Sequence, residues 1–345
     1  MTERWFYTSV TRASGLEGLP RELHVVPRGR WRDGDLVVGR VSENSPDWRI
    51  ESTSGRAVRV EPGDLVAGAL GVRAATLEVV GDWREVGDDL ELHALTTAGV
   101  YGRCTSLARS IPRLLTLRYE GHAVVGGGPA NMRDLVPDPP ATPFAVPTVL
   151  LVGTSMSAGK TTTARTIIRR LTARGLRVAG AKLSGVARYR DILSMQDAGA
   201  DPILDFVDAG LPSTICPRAE LEQALGGVLS RIAASGADVL VAEAGASPLE
   251  PYNGDAVVDL LGDNLRCLVL CASDPYAVVG VTSAFGLEPD LVAGLATSTD
   301  AAIALIEKLS DAHALNVLDP ASHAALDELL AARLEGPAGV ALTRR

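Results

Sequence analysis

The sequence contains very little lysine. Of its 33 lysine and arginine residues, only Lys160, Lys182 and Lys308 are lysines. The compact ammonium of lysine and the planar guanidinium of arginine are not interchangeable, so lysines retained in such a chain are enriched where a compact charge is needed. Lys308 lies in a helical pattern where chance is a sufficient explanation. Lys160 and Lys182 are therefore candidate functional residues.

Cysteines and long apolar runs are scarce as well. Four cysteines are spread without metal-ligand spacing, which predicts free thiols in a reducing cytoplasm. The net charge of −9 argues against nucleic-acid binding through a general basic field. No apolar run reaches the roughly 18 residues of a membrane span, and MTERWFYTSVTR lacks the apolar stretch of a secretion signal. We therefore expect a cytoplasmic protein without nucleic-acid or membrane partners.

The composition is that of a packed protein with two domains. The chain has 345 residues, of which 46% are hydrophobic and 22% charged, and this length exceeds what one hydrophobic core usually serves. Residues 137–147 (PDPPATPFAVP) hold five prolines in eleven positions, which neither a helix nor a central strand tolerates. We predict a domain at 1–136, a linker at 137–147 and a second domain at 148–345.

The first domain is predicted to be β-rich and barrel-like. Short β-type runs lie at 34–41, 55–71, 75–81 and 88–95. GDLVVG at 34–39 and GDLVAG at 63–68 are near copies, which suggests two similar strand-and-turn corners. The Arg- and Gly-containing stretch 101–132 is interpreted either as a solvated loop region or as an anion-facing surface turned toward the second domain.

The second domain shows strand–helix alternation, which predicts a doubly wound, mostly parallel α/β sheet. The predicted strands are 147–153, 177–183, 238–244, 266–272, 290–296 and 316–319. The predicted helices are 159–174, 190–199, one that begins near 217, 299–310 and 321–334.

The strongest motif is LLVGTSMSAGKTTTARTIIRRL at 150–171, where an apolar strand is followed by a small-residue loop and a helix that opens with GKT. Backbone N–H groups and a helix N-terminus form an anion cradle, the lysine contacts the β- and γ-phosphates, and the threonine hydroxyl reaches Mg²⁺. The strict pattern has glycine or alanine where this chain has Thr154. The predicted nucleotide-binding residues are Thr154, Ser155, Ser157, Ala158, Gly159, Lys160, Thr161 and Thr162.

A second element is DVLVAEAGASPLEPYNGD at 238–255. Its strand ends in Glu243, where such enzymes place a carboxylate that orients Mg²⁺ or water. Farther along, Tyr252 and Asn253 either hold substrate or turn the chain.

The third element is GAKLSGVARYRDILSMQDAGAD at 180–201. Lys182 is predicted at the carboxyl end of a strand, where ligands bind in parallel sheets. Arg188, Arg190 and Asp191 follow, a set that suits an anionic substrate and a metal. The alternative for the two arginines is a solvated loop.

Over residues 148–300 these motifs resemble the dethiobiotin synthetase type of P-loop protein. GTSMSAGKT at 153–161 has its glycine spacing, KLSG at 182–185 is similar to its K-P-V-x-[ST]-G, and EAGA at 243–246 is similar to its E-G-A-G-G. A related P-loop group, which includes proteins of D-glutamate N-acyl metabolism, has a similar loop. Ser155 stands where the synthetase has Asp, Leu183 stands for its Pro, and the loop at 245–255 differs. The biotin-pathway substrate is therefore not predicted.

The resemblance implies roles for individual residues. Lys160 and Thr161 would bind ATP and Mg²⁺, Asp191 and Glu243 would be metal ligands, and Lys182 would steady the substrate or a phosphorylated intermediate. Ser184 joins the substrate-binding candidates on the same basis. Lys160, Lys182 and Glu243 are the predicted catalytic set, and a homodimer is implied.

The main functional prediction is an ATP- and Mg²⁺-dependent ligase or kinase that activates a small anionic, carboxylate-bearing metabolite. The alternative is a nucleotide switch, either a GTPase metallochaperone or a partitioning-type ATPase. A partitioning ATPase carries an additional lysine where this chain has Ser155, and the guanine-binding pattern N-K-x-D is absent from the sequence. Both observations favour the ATP-dependent enzyme. A third possibility is a module in which the β-rich domain recruits a partner.

Overall fold

The computed structural model describes residues 3–19, 21–43, 45, 48–245 and 247–335. The chain divides into two compact units. The first, here called the barrel unit, comprises Met1–Asp138 together with Val186–Arg190 and Phe206–Ile215. The second, the sheet unit, comprises Pro139–Gly185, Asp191–Asp205 and Cys216–Arg345. The division along the chain thus falls close to the proline-rich segment, but two short downstream segments group with the barrel unit.

The barrel unit contains twelve strands among its described residues. Strands β6, β3, β11, β9 and β10 pair antiparallel in that order, and β10 pairs with β6 in parallel, which closes the ring. The bounds are β1 (Trp5–Tyr7), β2 (Leu23–His24), β3 (Leu36–Val41), β4 (Trp48–Glu51), β5 (Ala57–Val60), β6 (Leu65–Leu70), β7 (Val72–Ala74), β8 (Val79–Asp82), β9 (Glu91–Ala94), β10 (Val100–Leu107), β11 (Thr116–Val125) and β12 (Gly128–Pro129). The predicted β-rich, barrel-like character agrees with this ring.

The two near-copy segments form equivalent corners of the ring. Gly34 and Gly63 both have positive φ angles, of 79° and 88°, which favour glycine. The next residue in each copy, Asp35 or Asp64, accepts a hydrogen bond of 2.7 Å at Oδ2 from the backbone N–H three residues earlier. The strands that follow, β3 and β6, pair with each other. The duplicated sequence therefore encodes a duplicated turn.

The interpretation of 101–132 as a solvated loop region is wrong, because β10 and β11 lie in it. In β11, Leu117 and Tyr119 are buried whereas Arg118 between them is exposed. Alternate side chains of a strand face opposite sides, so arginines can occupy one face while the other packs in the core. The proposed anion-facing surface stays a prediction.

A polar network lies within the barrel unit. His122 Nε2 is 3.1 Å from Asp35 Oδ2, and Asn131 Nδ2 donates to Asp35 Oδ1 at 2.8 Å. The Tyr119 hydroxyl is 2.6 Å from His122 Nδ1. Burial, the largest single effect, acts to raise the pKa of Asp35. The hydrogen bonds from His122 and Asn131 together outweigh burial, so the pKa of Asp35 lies below its usual value. Because these side chains hydrogen-bond to one another, their burial does not carry the free-energy cost of unpaired polar groups.

The sheet unit has six parallel strands in the order β15-β14-β16-β13-β17-β18, so the predicted α/β class with a parallel sheet is confirmed. The central strands are continuous apolar runs, as expected of strands buried on both faces. The strands are β13 (Thr148–Gly153), β14 (Val178–Ser184), β15 (Ile203–Asp205), β16 (Val239–Ala244), β17 (Leu265–Cys271) and β18 (Leu291–Ala293).

Seven helices accompany these strands in the described residues. They are α1 (Lys160–Ala173), α2 (Tyr189–Gln196), α3 (Arg218–Ala234), α4 (Gly254–Leu261), α5 (Pro275–Phe285), α6 (Asp300–Ser310) and α7 (His323–Glu335). Helices α4 and α5 escaped prediction because both are short and rich in valine, which also suits strands. Among the described helices, none combines the length and the apolar character that crossing a membrane requires.

The strand predicted at 316–319 is wrong. There the side chain of Asn316 accepts from the Leu318 N–H, and its carbonyl accepts from the Asp319 N–H, which makes a turn. The parallel bridge to β18 occurs earlier, between Ala314 and Val292.

Candidate nucleotide site

The phosphate-loop motif occupies the carboxyl end of β13, which pairs with β16 on one side and β17 on the other. A Cβ atom on Gly153 would lie 2.5 Å from Lys160 Nζ. The Lys160 side chain therefore folds back over the end of its own strand, and only glycine leaves room for it. Gly159, with φ of 99°, then turns the chain into α1.

Lys160 is held inside this loop. It is 5% exposed, and its Nζ donates to the Ser155 carbonyl at 2.7 Å. Burial lowers the pKa of Lys160, while the neighbouring Glu243 opposes that shift. Together with the N–H groups that open α1, the ammonium makes an electropositive cradle of the kind that binds phosphates.

The other predicted loop residues surround the same turn. The Thr154 N–H donates to the Cys271 carbonyl at 3.0 Å, which ties the loop to β17. Thr154 Oγ1 also accepts from the Ser273 N–H at 3.1 Å. Ala158 is buried, whereas Ser157 and Thr162 are exposed. The exposed hydroxyls are accessible to a bound nucleotide.

Glu243 lies near the end of β16, opposite Leu151 of β13 on one side and Lys182 of β14 on the other. It is 2% exposed, and Oε2 accepts from Thr161 Oγ1 at 3.3 Å. Burial, aided by Asp191, raises the pKa of Glu243 to about 7, against the effect of Lys160 and Lys182. Its Oε1 has no hydrogen-bond partner among the residues that the structure describes.

Lys182 and Asp191 form an ion pair in the same neighbourhood. Lys182 Nζ donates to Asp191 Oδ2 at 2.7 Å, and both side chains are mostly buried. Asp191 and Lys182 each influence the pKa of Glu243. The structure thus brings together Lys160, Thr161, Lys182, Asp191 and Glu243, residues predicted from three separate motifs.

Thr161 and Glu243 fit a magnesium ion. A buried carboxylate oxygen without a partner, beside a threonine hydroxyl, provides the hard oxygen ligands that Mg²⁺ prefers, with phosphates and water completing its shell. Asp191, the third predicted ligand, has Oδ2 engaged by Lys182. Within the described ranges, no three His, Cys, Asp or Glu side chains are grouped as for a metal held by protein alone.

Three residues that were predicted to contact substrate are buried or hydrogen-bonded to the chain itself. Ser184 is fully buried and donates its hydroxyl to the Gly245 carbonyl at 2.9 Å. Tyr252 is fully buried among the large side chains of the core. Asn253 donates from Nδ2 to the Cys216 carbonyl at 3.0 Å, and its φ of 56° starts α4. Substrate contact by these side chains stays a prediction.

Arg188 and Arg190 are exposed and group with the barrel unit. Exposure is compatible with either reading of these arginines, an anion contact or a solvated segment.

Sequence reasoning missed Gly294, which follows β18. Its φ is 89°, and a Cβ atom there would lie 2.2 Å from the Ala158 carbonyl oxygen. Any side chain at this position would displace the phosphate loop. The signal was present in the sequence as a glycine inside the strand predicted at 290–296, because such a glycine often marks a close approach of another backbone.

Comparison with known proteins gives structural likeness only. No family model and no curated protein matches the sequence. HypB from Helicobacter pylori in complex with nickel matches at 14% identity and a TM-score of 0.39, over 57% of this chain and 91% of that one. The signal recognition particle receptor FtsY from Elizabethkingia anophelis matches at 15% identity and a TM-score of 0.35, over 51% and 59%.

A DUF1611 family protein from Anabaena variabilis matches at 18% identity and a TM-score of 0.34, over 58% of this chain and 63% of that one. None of these three is a dethiobiotin synthetase, so that finer resemblance stays a prediction. At such identities and scores, no activity is transferred from these proteins. The phosphate-binding assignment rests instead on the strand, loop and helix of this chain.

Proposed function

We propose that the chain binds a magnesium–nucleoside triphosphate at residues 153–161 and cleaves its terminal phosphoryl bond. The observation that supports this most directly is the meeting of the phosphate loop with Lys182 and Glu243 at the ends of three adjacent parallel strands. Ligands of open parallel sheets bind at this edge. Two compact cations and a carboxylate there match the charges of a metal–triphosphate complex.

Each residue then has a definite task. Lys160 and the N–H groups of α1 bind the β- and γ-phosphates, while Thr161 and Glu243 hold the metal, which neutralises phosphate charge when bound. Lys182, oriented by Asp191, neutralises charge on the transferred phosphoryl group or on its acceptor. Catalysis in this arrangement is positioning together with electrostatic stabilisation.

The first candidate acceptor is a small carboxylic acid, activated as a mixed phosphate anhydride by a ligase or phosphorylated by a kinase. The buried Lys182–Asp191 pair favours this candidate, because it supplies a second oriented ammonium beyond the one that the phosphate loop requires. ATP is the proposed nucleotide, since N-K-x-D is absent from the sequence. The homodimer remains a prediction.

The second candidate acceptor is water, which would make the chain a nucleotide switch. The position of Glu243 favours it, because its buried Oε1 has no hydrogen-bond partner among the described residues and could orient an attacking water. HypB in complex with nickel and the signal recognition particle receptor FtsY resemble this chain in fold alone, so no activity is taken from either of them.

Release of the nucleoside diphosphate separates the two candidates. ATP and GTP are each supplied with Mg²⁺, with and without pools of small carboxylic acids, and the product masses are measured. Acceptor-dependent release that disappears in Lys182→Ala, while nucleotide binding persists, supports transfer to an acid. Fast release without acceptor, unchanged in Lys182→Ala, supports the switch. The absence of any nucleotide binding would refute the proposal.

A further inference from the structure

The side chain of Lys182 packs against two glycines of the sheet unit. A Cβ atom added to Gly185 would lie 3.2 Å from Lys182 Cε, and one added to Gly245 would lie 3.7 Å from the same carbon. The two glycines also face each other, since a Cβ atom on Gly185 would come within 3.6 Å of Gly245 Cα. All three residues are buried. The hydrocarbon stem of Lys182 therefore lies against bare backbone at two points.

Ser184 joins the two glycine segments by a pair of hydrogen bonds. Its hydroxyl donates to the Gly245 carbonyl at 2.9 Å, and its own carbonyl accepts from the Gly245 N–H at 3.0 Å. Ser184 is fully buried, and hydrogen bonds are stronger in such a low-dielectric interior. The ends of β14 and β16 are thereby held together beside Lys182. Ser184, Gly185 and Gly245 are here called the lysine support.

The strand geometry at this point is irregular. Lys182 pairs with Glu243, but Ser184, two residues later, pairs with Ala244, so β14 carries one extra residue relative to β16. An extra residue of this kind bends a strand and re-aims the side chains beside it. Gly185 then has a φ angle of 124°, in the region that favours glycine. The backbone thus departs from regular strand geometry immediately after Lys182.

The ammonium at the tip of Lys182 has its own contact. Lys182 Nζ donates to Asp191 Oδ2 at 2.7 Å, and this carboxylate also belongs to the sheet unit. A contact at the tip orients the nitrogen but leaves the torsions of the flexible four-carbon stem less restricted. The rotamer entropy of lysine is among the largest of any residue. Contacts along the stem are therefore needed to restrict it to one conformation.

We propose that Ser184, Gly185 and Gly245 are positioning residues: they hold the stem of Lys182 in one conformation and thereby fix where its ammonium meets the phosphoryl acceptor. A charge that is fixed in advance needs no reorganisation when the transition state forms. The loss of lysine rotamer entropy then occurs on folding and not during catalysis. The inference deepens the proposed function and rests on it for its catalytic consequence, although the confinement of Lys182 can be measured without any nucleotide.

The scarcity of lysine makes the structural test direct. Protein labelled with ¹³C-lysine has three Cε signals, which Lys→Arg variants assign. In the wild type, the two Hε protons of Lys182 should differ in chemical shift because the methylene group is confined, whereas those of the exposed Lys308 should coincide. Ser184→Ala should bring the two Lys182 protons together, and Gly185→Ala should shift Lys182 Cε. Coincident Lys182 protons in the wild type, or Lys182 signals unchanged in either variant, overturn the proposal.

Gly175→Ala is the matched control for backbone strain. Gly175 also belongs to the sheet unit and has a positive φ angle, of 83°, but a Cβ atom there would meet nothing within 4 Å. Both glycine substitutions strain the backbone, whereas only the one at Gly185 reaches Lys182. An equal change of the Lys182 signals in Gly175→Ala overturns the proposal. If Gly185→Ala fails to fold, Ser184→Ala, which requires no positive φ angle, decides alone.

Turnover gives the second test. Gly185→Ala should lower kcat about tenfold and Ser184→Ala about threefold, because a displaced ammonium stabilises the transition state less well. The nucleotide Kd should stay within about twofold in both, since the phosphate loop is unaltered. Gly175→Ala should keep the wild-type kcat. An unchanged kcat in Ser184→Ala and Gly185→Ala, or a fall in kcat that only accompanies an equal loss of nucleotide affinity, overturns the proposal.

The two hypotheses can fail separately. If the wild-type protein neither binds nor cleaves a nucleoside triphosphate, the proposed function fails, while the lysine signals still decide whether the lysine support confines Lys182. If the wild type is active and kcat is unchanged in both variants, the proposed function stands and the lysine support has only a structural role.

Discussion

Two buried carboxylates, one in each unit, differ in how completely their surroundings satisfy them. Asp35 in the barrel unit receives hydrogen bonds from His122, Asn131 and the Arg32 N–H, and its pKa is lowered. Glu243 in the sheet unit receives one bond of 3.3 Å, and its pKa is raised to about 7. The first is bound fully by its own chain, whereas the second keeps an oxygen available to a ligand.

The difference separates a structural role from a functional one. A buried polar group that is fully hydrogen-bonded stabilises one conformation, whereas an incompletely satisfied one costs free energy that only a ligand recovers. Strongly perturbed carboxylates therefore cluster at functional sites. A carboxylate thus stabilises the fold in the barrel unit, whereas at the sheet edge it belongs to the proposed metal and phosphate site.

The largest expected effect comes from Lys160→Ala, which removes the cation proposed to bind the triphosphate. Nucleotide affinity should fall by up to about a hundredfold, since a charge-assisted contact contributes up to about 3 kcal/mol. Calorimetric titration with Mg²⁺ and ATP measures it, and Lys308→Ala is the control. Unchanged affinity in Lys160→Ala would remove the site assignment.

Asp35→Ala tests the other half of the comparison. Removal of one partner from a buried charged network should destabilise the barrel unit by about 3 kcal/mol, because His122 and Asn131 lose their acceptor. Urea unfolding measures the loss, and nucleotide affinity of the folded variant should be unchanged. A loss in the free energy of unfolding well below about 1 kcal/mol would show that the network does not stabilise the barrel unit.

Glu243→Gln should change how the free energy of unfolding depends on pH more than it changes the magnitude of that free energy. The folded-state pKa of Glu243 is raised from 4.5 to about 7, so its contribution favours folding below about pH 4.5 and is lost as the pH rises through 7. The wild type should therefore lose stability relative to Glu243→Gln over this window, as followed by thermal unfolding at several pH values. Parallel curves for the two proteins would contradict the raised pKa.

The opposite sign is expected at Asp35. Its folded-state pKa is lowered from 3.8, so its contribution is present above that value and is lost as the pH falls through the folded-state pKa. Acid unfolding of Asp35→Asn beside the wild type measures this loss.

The smallest effect is expected from Arg188→Ala and Arg190→Ala. Both side chains are exposed, so an ionic contact with an anionic acceptor would be weakened by solvent, and we expect an increase of a few-fold in KM with kcat maintained. Steady-state kinetics with the acceptor found by diphosphate release provides the measurement. An unaltered KM would favour the alternative interpretation, in which both arginines belong to a solvated loop and do not contact the acceptor.

Local patterns made much of the sheet unit predictable. The strand, loop and helix of residues 148–173 depend on neighbouring residues, and the scarcity of lysine singled out Lys160 and Lys182 without any structure. Short elements were harder to predict from the sequence, because α4 and α5 resemble strands in composition and the apolar residues at 316–319 form a turn. The orientation of Ser184 and Tyr252 into the protein interior depends on packing that no local pattern encodes.

The sequence by itself determined the phosphate loop, the alternation that produces the parallel sheet, and the duplicated Gly-Asp corners of the barrel unit, because each depends on contacts within a few residues. Tertiary structure alone decided that β10 closes on β6, that Glu243 is buried with one oxygen unsatisfied, and that Glu51 accepts from the N–H of Tyr189, 138 positions away. Those properties arise from burial and from pairings between distant residues, whose free energies exist only once the chain has folded.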